Sequence, residues 1–494
     1  MQETLGFCQE TRPESCGFIL FGATGDLAGR KIIPALFGLC EKNIAPKNFY
    51  ILLAARTPLD RSGLESRLRA SLTKAGFTPS PESFSAFQER TEYMQADYES
   101  EDFYKRLSLR LAVLDARSGV KKKRLFYLAM PPAAFEPIVG RLKSGGLLSD
   151  PEDCSCWSRL IIEKPYGASL EGAASLDAGL KTSASESQVY RIDHFTGKET
   201  VQNVLALRSA NRVFEATWNN RFVDHVQITV LEELGLEGRA NFFEHMGLAQ
   251  DMMSHILQLA AITAMDLPAT FRDTDFKAEK KRFFESVHPL DREAVVKQSV
   301  RAQYAGYRAE PGVAPASPVE TFLAFKFGVD NDRWRGVPFY VRAGKKTGLK
   351  KTRIDLVYKK PDLGIFKHID IGYPNVFTFN IQPDEDITFS LVSKHPGPKL
   401  CFTPRSMRLD YRADVKEAQS YPTDYERLLI EAMSGDQTLF LSSFEIRFMW
   451  EFLSSFTGTW KGGPQASPLY SYADGTAGPA EAADLLKKDG RAWL

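Results

Sequence analysis

Several short stretches of this chain place ionisable side chains where they could do chemistry together. In Arg191-Ile192-Asp193-His194-Phe195-Thr196-Gly197-Lys198-Glu199, a carboxylate (Asp193), an imidazole (His194) and an ammonium (Lys198) fall within six positions beside a glycine. Such a grouping can hold a phosphate, although a bare Asp-His pair also suits a solvated turn. His255 follows Asp251 by four residues in a stretch whose apolar positions, Leu248, Met252, Ile256 and Leu259, have helical spacing, so both polar side chains share one face. A histidine there is either a core residue or a group able to take a proton near neutral pH. Lys164 ends the apolar run Arg159-Leu160-Ile161-Ile162-Glu163-Lys164, at the end of a strand. Ligands of open α/β sheets gather beyond such ends, and a solvated lysine is the competing reading. The basic loop GKKTGLKKTR, from Gly344 and containing Lys345 and Lys350, suits a nucleic-acid patch, a solvated hairpin or an inward-facing anion site. Its place between two β segments favours the last.

A further site is carried by backbone. In Phe18-Ile19-Leu20-Phe21-Gly22-Ala23-Thr24-Gly25-Asp26-Leu27 an apolar strand runs into a glycine turn, and a helix is expected to begin near Asp26 or Leu27. Unpaired N–H groups at a helix start suit a pyrophosphate, and Gly22 and Gly25 are expected to let the main chain approach it and to take positive φ. At the end of the next strand, where an NAD-selective site usually has an acid for the ribose 2′-hydroxyl, the chain reads Ala55-Arg56-Thr57. A guanidinium there suits a 2′-phosphate, which favours NADP.

The elements that must position these groups follow from the patterning. GFILFG from Gly17, a helix-like stretch to about Asn43, and NFYILLAAR form a βαβ unit; RLFYLAM from Arg124 and RLIIEK from Arg159 continue a parallel sheet. Beyond about residue 190 the texture changes to β segments, many of them alternating: HVQITVL from His225, TFLAFKF from Thr321, PFYVRAG from Pro338, RIDLVY from Arg353, VFTFNI from Val376 and ITFSLV from Ile387. The expected fold is therefore α/β plus α+β: a Rossmann-like parallel-sheet domain over 1–190, then a domain over 191–494 with a large, mainly antiparallel sheet for substrate binding and oligomerisation. The Pro/Ala/Ser-rich stretches at 311–318 and 462–479 read as loop and tail.

A chain of 494 residues, 43% hydrophobic, can bury a large core. Its 63 Lys plus Arg against 62 Asp plus Glu create no global field for nucleic acid or a membrane surface. The start, MQETLGFCQETRPESCGF, lacks the cationic and apolar regions of a secretory signal, and no run reaches membrane-spanning length, so a cytoplasmic location is expected. Six cysteines without paired metal-ligand spacing are expected to be reduced.

GATGDLAGRK at Gly22, IIEKPYG at Ile161, RIDHFTGKE at Arg191 and GLEGRANFFEHMGLAQDMMSH ending at His255, followed by RGVPFYVRAGK ending at Lys345, IQPDE at Ile381 and DYERLLIEAMSGDQ at Asp424, together resemble the glucose-6-phosphate dehydrogenase family along nearly the whole chain. The resemblance implies NADP-dependent oxidation of glucose 6-phosphate to 6-phosphogluconolactone, the first step of the oxidative pentose phosphate pathway, without a metal. It makes His255 the general base and Asp193 its supporting carboxylate, with Gly22, Ala23, Thr24, Gly25, Asp26, Leu27, Arg56 and Lys164 on the cofactor. It assigns the sugar phosphate to Lys164, His194, Lys198, Glu232, Asp251, Lys345 and Lys350. A homodimer or homotetramer is expected, with no nucleic-acid or membrane partner.

This chain departs from the family pattern in three places. Phe195 stands where Tyr is usual, and the approach to His255 is one residue shorter, with Ser254 in place of Asn. Lys351 is retained but Asp355 replaces a basic residue at a second, structural dinucleotide site, so one dinucleotide per chain is expected. A helix absorbs an extra residue as a π-bulge; the shorter run predicts either its absence or a rotated Asp251. Two other readings are a sugar oxidoreductase of the glucose-fructose oxidoreductase type, which shares Glu-Lys-Pro and Asp-x-x-x-His, and a non-catalytic NADP sensor.

Overall fold

The computed structural model describes residues 12–149, 156–361, 373–410, 421–460 and 467–494. Its early strands, numbered along the chain, are β1 (Cys16–Phe21), β2 (Phe49–Ala55), β3 (Thr91–Gln95), β4 (Arg124–Leu128), β5 (Ser158–Ile162) and β6 (Val189–Ile192). β1, β2 and β4 are buried at every residue, as strands covered on both faces by helices must be. All six pair in parallel in the order β3-β2-β1-β4-β5-β6, the order of a doubly wound dinucleotide-binding sheet, with its switch point between β1 and β4. The turn after β1 therefore lies where such sheets bind ligands. Phe18, Leu20, Ile51, Leu53, Leu125 and Ile161 form the core of one face.

The chain then builds β7 (Val223–Leu231), β8 (Ser299–Tyr304), β9 (Phe322–Gly328), β10 (Pro338–Gly344), β11 (Lys351–Tyr358), β12 (Val376–Gln382), β13 (Asp386–Lys394) and β14 (Phe402–Leu409). Their order is β14-β13-β12-β11-β7-β10-β9-β8, ending with a ninth strand, Leu469–Tyr472. Pairing is antiparallel except where β10 meets β7 and where Leu469–Tyr472 meets β8. The mainly antiparallel sheet agrees with the expected fold class.

Three expectations need correction. The first compact unit runs to Gly197, not to residue 190, and takes back 419–446 from the second, which comprises 198–418 and 447–494. The returning segment carries the helix Asp424–Ser434, whose Leu428 and Leu429 are fully buried in the first core, and the short strand Phe440–Leu441, which pairs antiparallel with β6. Such a two-residue strand has no readable period. The stretch 462–479 is not all tail, because Leu469–Tyr472 completes the second sheet; residues 461–466 lie outside the described chain. Finally, Cys16, Cys40 and Cys401 are free but Cys156 is disulfide-bonded. Among the described residues no helix is long and apolar enough to cross a membrane.

Candidate active site

The glycine turn is built by hydrogen bonds that fix its main chain. Gly22 has φ +78°, and a Cβ there would lie 2.3 Å from the Ala129 carbonyl oxygen, so the turn needs glycine for both conformation and space. The Gly22 N–H donates to Tyr98 Oη at 2.9 Å, and that hydroxyl donates to the Ala54 carbonyl at 2.9 Å. One phenol thus ties the end of β1 to the end of β2. Burial pushes its pKa up to about 12, with the Gly22 N–H acting the other way. Gly25 does not have positive φ, contrary to expectation; its N–H closes the turn onto Gly22 O at 2.9 Å, and Arg67 donates to its carbonyl at 2.8 Å.

The helix begins at Asp26 as expected, passes through a π segment, Ala28–Ile32, and continues as Ile33–Glu41. Ala23 is buried in the turn, while Thr24 and Leu27 are partly buried. Asp26 forms an exposed ion pair with Arg30. Main-chain N–H groups at the start of this helix fit a dinucleotide phosphate. Arg56 is exposed at the end of β2 and makes no ion pair among the described residues, leaving its fork open to an anion.

At the end of β5, Lys164 Nζ lies 3.0 Å from an Asp193 carboxylate oxygen, and Asp193 is fully buried. The other carboxylate oxygen accepts the Phe195 N–H at 3.1 Å. Phe195 is buried with its ring edge against His194, a contact open to a tyrosine ring as well. Glu163, just before Lys164, is partly buried and accepts from Tyr127 at 2.5 Å and from Tyr425 at 3.3 Å. Burial raises its pKa and the two phenols act against that rise. None of these three residues was singled out from sequence; Glu163 stood beside a candidate and looked like part of the strand.

The second unit gathers a different kind of site. Lys198 is the N-cap of the helix Glu199–Ala210. Lys345, buried just past β10, approaches Glu232 at 2.5 Å and Asp251 at 3.6 Å. Three expected substrate ligands from three distant segments therefore converge on one ammonium group. Lys350 is exposed and stands outside this ion-pair cluster. Asp251 and His255 lie on the helix Ala240–Ala264, which is broken at Gly247 by φ 68° and ψ 168°. From residue 248 onward the helix is regular, so no π-bulge precedes His255 and Asp251 still reaches Lys345. His255 is 3% exposed, and Leu248, Met252, Ile256 and Leu259 are all buried, as their spacing predicts. At the expected departure from a second dinucleotide site, Asp355 is buried with an oxygen 2.8 Å from Arg353 Nε.

Comparison with known proteins matches both units in chain order. A family model described as the glucose-6-phosphate dehydrogenase NAD binding domain matches residues 19–203, and one for the C-terminal domain of the same family matches 205–494. A glucose-6-phosphate 1-dehydrogenase of Chlamydia muridarum is 36% identical over 97% of this chain and 96% of its own. That of Bacillus subtilis is 35% identical over 96% and 97%. A solved glucose-6-phosphate dehydrogenase in complex with glucose 6-phosphate superposes with a TM-score of 0.89 at 29% identity, over 98% of this chain and 99% of that one.

Proposed function

The chain belongs to the glucose-6-phosphate dehydrogenase family, and from that premise we propose how its residues carry out the reaction. The activity is oxidation of glucose 6-phosphate at C1 to 6-phosphogluconolactone, the first step of the oxidative pentose phosphate pathway, with hydride passed to a nicotinamide dinucleotide. In our reading that dinucleotide is NADP, because Arg56 offers an unpaired guanidinium and no acid stands in its place. The turn from Gly22 to Leu27 holds the pyrophosphate with main-chain N–H groups. When bound, the nicotinamide supplies the hydride acceptor.

His255 takes the C1 hydroxyl proton, and Asp193 supports the imidazolium that forms. Lys164, held against Asp193, serves cofactor and sugar together. Glu232 and Asp251 accept hydrogen bonds from sugar hydroxyls, Lys345 keeps both carboxylates directed, and His194, Lys198 and Lys350 hold the 6-phosphate. The enzyme works as a homodimer or homotetramer in the cytoplasm and takes one dinucleotide per chain. The observation that carries this reading is the convergence of Glu232, Asp251 and Lys345 from a strand end, a helix and a loop. Binding a dinucleotide alone does not require that arrangement.

Steady-state reduction of NADP and NAD, with glucose 6-phosphate and with free glucose, tests it. Reduction of NADP with the phosphorylated sugar at a kcat/KM at least about tenfold above that with glucose is expected, the worth of one charge-assisted contact. Equal use of free glucose would favour the glucose-fructose oxidoreductase type of reaction. No reduction with any sugar phosphate would leave an NADP sensor.

A further inference from the structure

The helix bearing Asp251 and His255 is a half-helix that begins at a break. Gly247 leaves the helical conformation, so the N–H groups of the next turn lose their partners four residues back. Two of them are satisfied by a single residue just ahead of β9. The Leu248 N–H donates to the Glu320 carbonyl at 3.2 Å, and the Ala249 N–H donates to Glu320 Oε1 at 2.9 Å. A Cβ at Gly247 would lie 2.7 Å from that same Oε1, so the glycine makes room for the carboxyl.

The opposite end is held as firmly. Arg208, fully buried, donates to the carbonyls of Ile262, Thr263 and Met265 at 3.3, 3.2 and 2.9 Å. Trp218 and Trp334 donate to Thr263 and Ala264. An acid at the start and a guanidinium at the end complement the helix dipole.

Glu320 also reaches the other side of the sugar cluster through the residue after it. The Thr321 carbonyl accepts the Lys345 N–H at 2.9 Å, and Tyr472 Oη, 2.6 Å from the Lys345 carbonyl, also donates to Thr321 O at 3.2 Å. Two consecutive residues thus fix the main chain that carries Asp251 and the main chain that carries Lys345. A rotation of the half-helix by one residue, roughly 100°, would take Asp251 away from Lys345 and turn His255 with it.

We propose that Glu320 is a positioning residue for the sugar site, capping the half-helix of Asp251 and His255 while the residue after it holds Lys345. It touches neither substrate nor cofactor and acts through the angle and register of that helix. Burial pushes the Glu320 carboxyl up to about 7, against the main-chain N–H groups and Arg301, which favour its charged form. The bond to the Ala249 N–H needs an acceptor oxygen of this reach, which an amide also supplies.

The inference rests on the proposed reading of the site, and the test separates the two. Wild-type enzyme that fails to reduce NADP with glucose 6-phosphate overturns the reading; the inference is judged on an active wild type. Glu320→Asp keeps the charge but withdraws it by one methylene, beyond reach of Ala249. Its KM for glucose 6-phosphate is expected to rise and its kcat to fall, each about fivefold to tenfold, the usual worth of a lost cap, with KM for NADP unchanged. Glu320→Gln keeps the reach, and all three constants are expected to stay within about twofold of wild type. Wild-type sugar constants in Glu320→Asp would overturn the proposal, as would an equal rise in both KM values. Should Glu320→Asp fail to fold, the near-isosteric Glu320→Gln decides: wild-type constants support the cap, and a tenfold loss overturns it.

Discussion

The proposed cofactor turn and the proposed sugar site are built by different physics. After β1 recognition is mostly main chain: glycine conformation, a phenol joining two strand ends, and N–H groups at a helix start. In the second unit it is mostly side chain, with Lys345 between Glu232 and Asp251 and a buried acid and guanidinium at the ends of one helix. A main-chain site loses little when one side chain is trimmed. A cluster of paired charges fails as a unit, because removing one partner leaves the others partly buried and uncompensated.

The largest expected contrast comes from Lys345→Met. It leaves Glu232 and Asp251 repelling one another, and KM for glucose 6-phosphate is expected to rise at least about thirtyfold, the equivalent of roughly 2 kcal/mol, with KM for NADP within about twofold. Initial-rate kinetics in both substrates read this directly, and equal changes in both would erase the contrast. Next in size is Arg56→Ala, expected to raise KM for NADP about tenfold while leaving NAD use unchanged, since only the 2′-phosphate is lost as a partner. Tyr98→Phe removes an acceptor from Gly22 and a donor to Ala54. Dinucleotide affinity is expected to fall only about threefold to fivefold, because the turn keeps its other hydrogen bonds; calorimetric titration with NADP measures it.

The smallest effect concerns a carboxyl pushed up by burial in each region, Glu320 in the second and Glu431 in the first, both to about 7. A carboxyl whose folded pKa exceeds its unfolded value stabilises the fold below the unfolded value of about 4.5, and that contribution is lost as pH rises to about 7. Glu431→Gln is therefore expected to gain roughly 1 to 2 °C in Tm relative to wild type between pH 5 and pH 8. Parallel Tm curves for the two proteins would contradict this.

The same contrast decided what could be read from sequence. The turn at Gly22 is local: strand, glycine and helix start are neighbours, whereas the strand order that places them at a switch point came only from the structure. Glu232, Asp251 and Lys345 lie on separate elements, and no spacing rule joins them; the resemblance alone brought them together. Glu320 and Arg208 had no signal, since Val-Glu-Thr-Phe reads as a strand edge and the Arg208 partners are main-chain carbonyls. β14 was missed for a related reason. As an edge strand with six successive exposed residues and an internal proline, it has no alternation to find. The π segment fell after the cofactor turn, while the shortened approach to His255 is plain α-helix, as one of the two expectations had it.

The central claim is that His255 removes the proton from the C1 hydroxyl. Single-turnover reduction of NADP by glucose 6-phosphate, compared between wild type and His255→Asn with both ligands saturating, tests it most directly. The account predicts a fall in the chemical step of about 10²-fold to 10⁴-fold with little change in either binding constant. A fall of less than about tenfold would contradict a general base at this position.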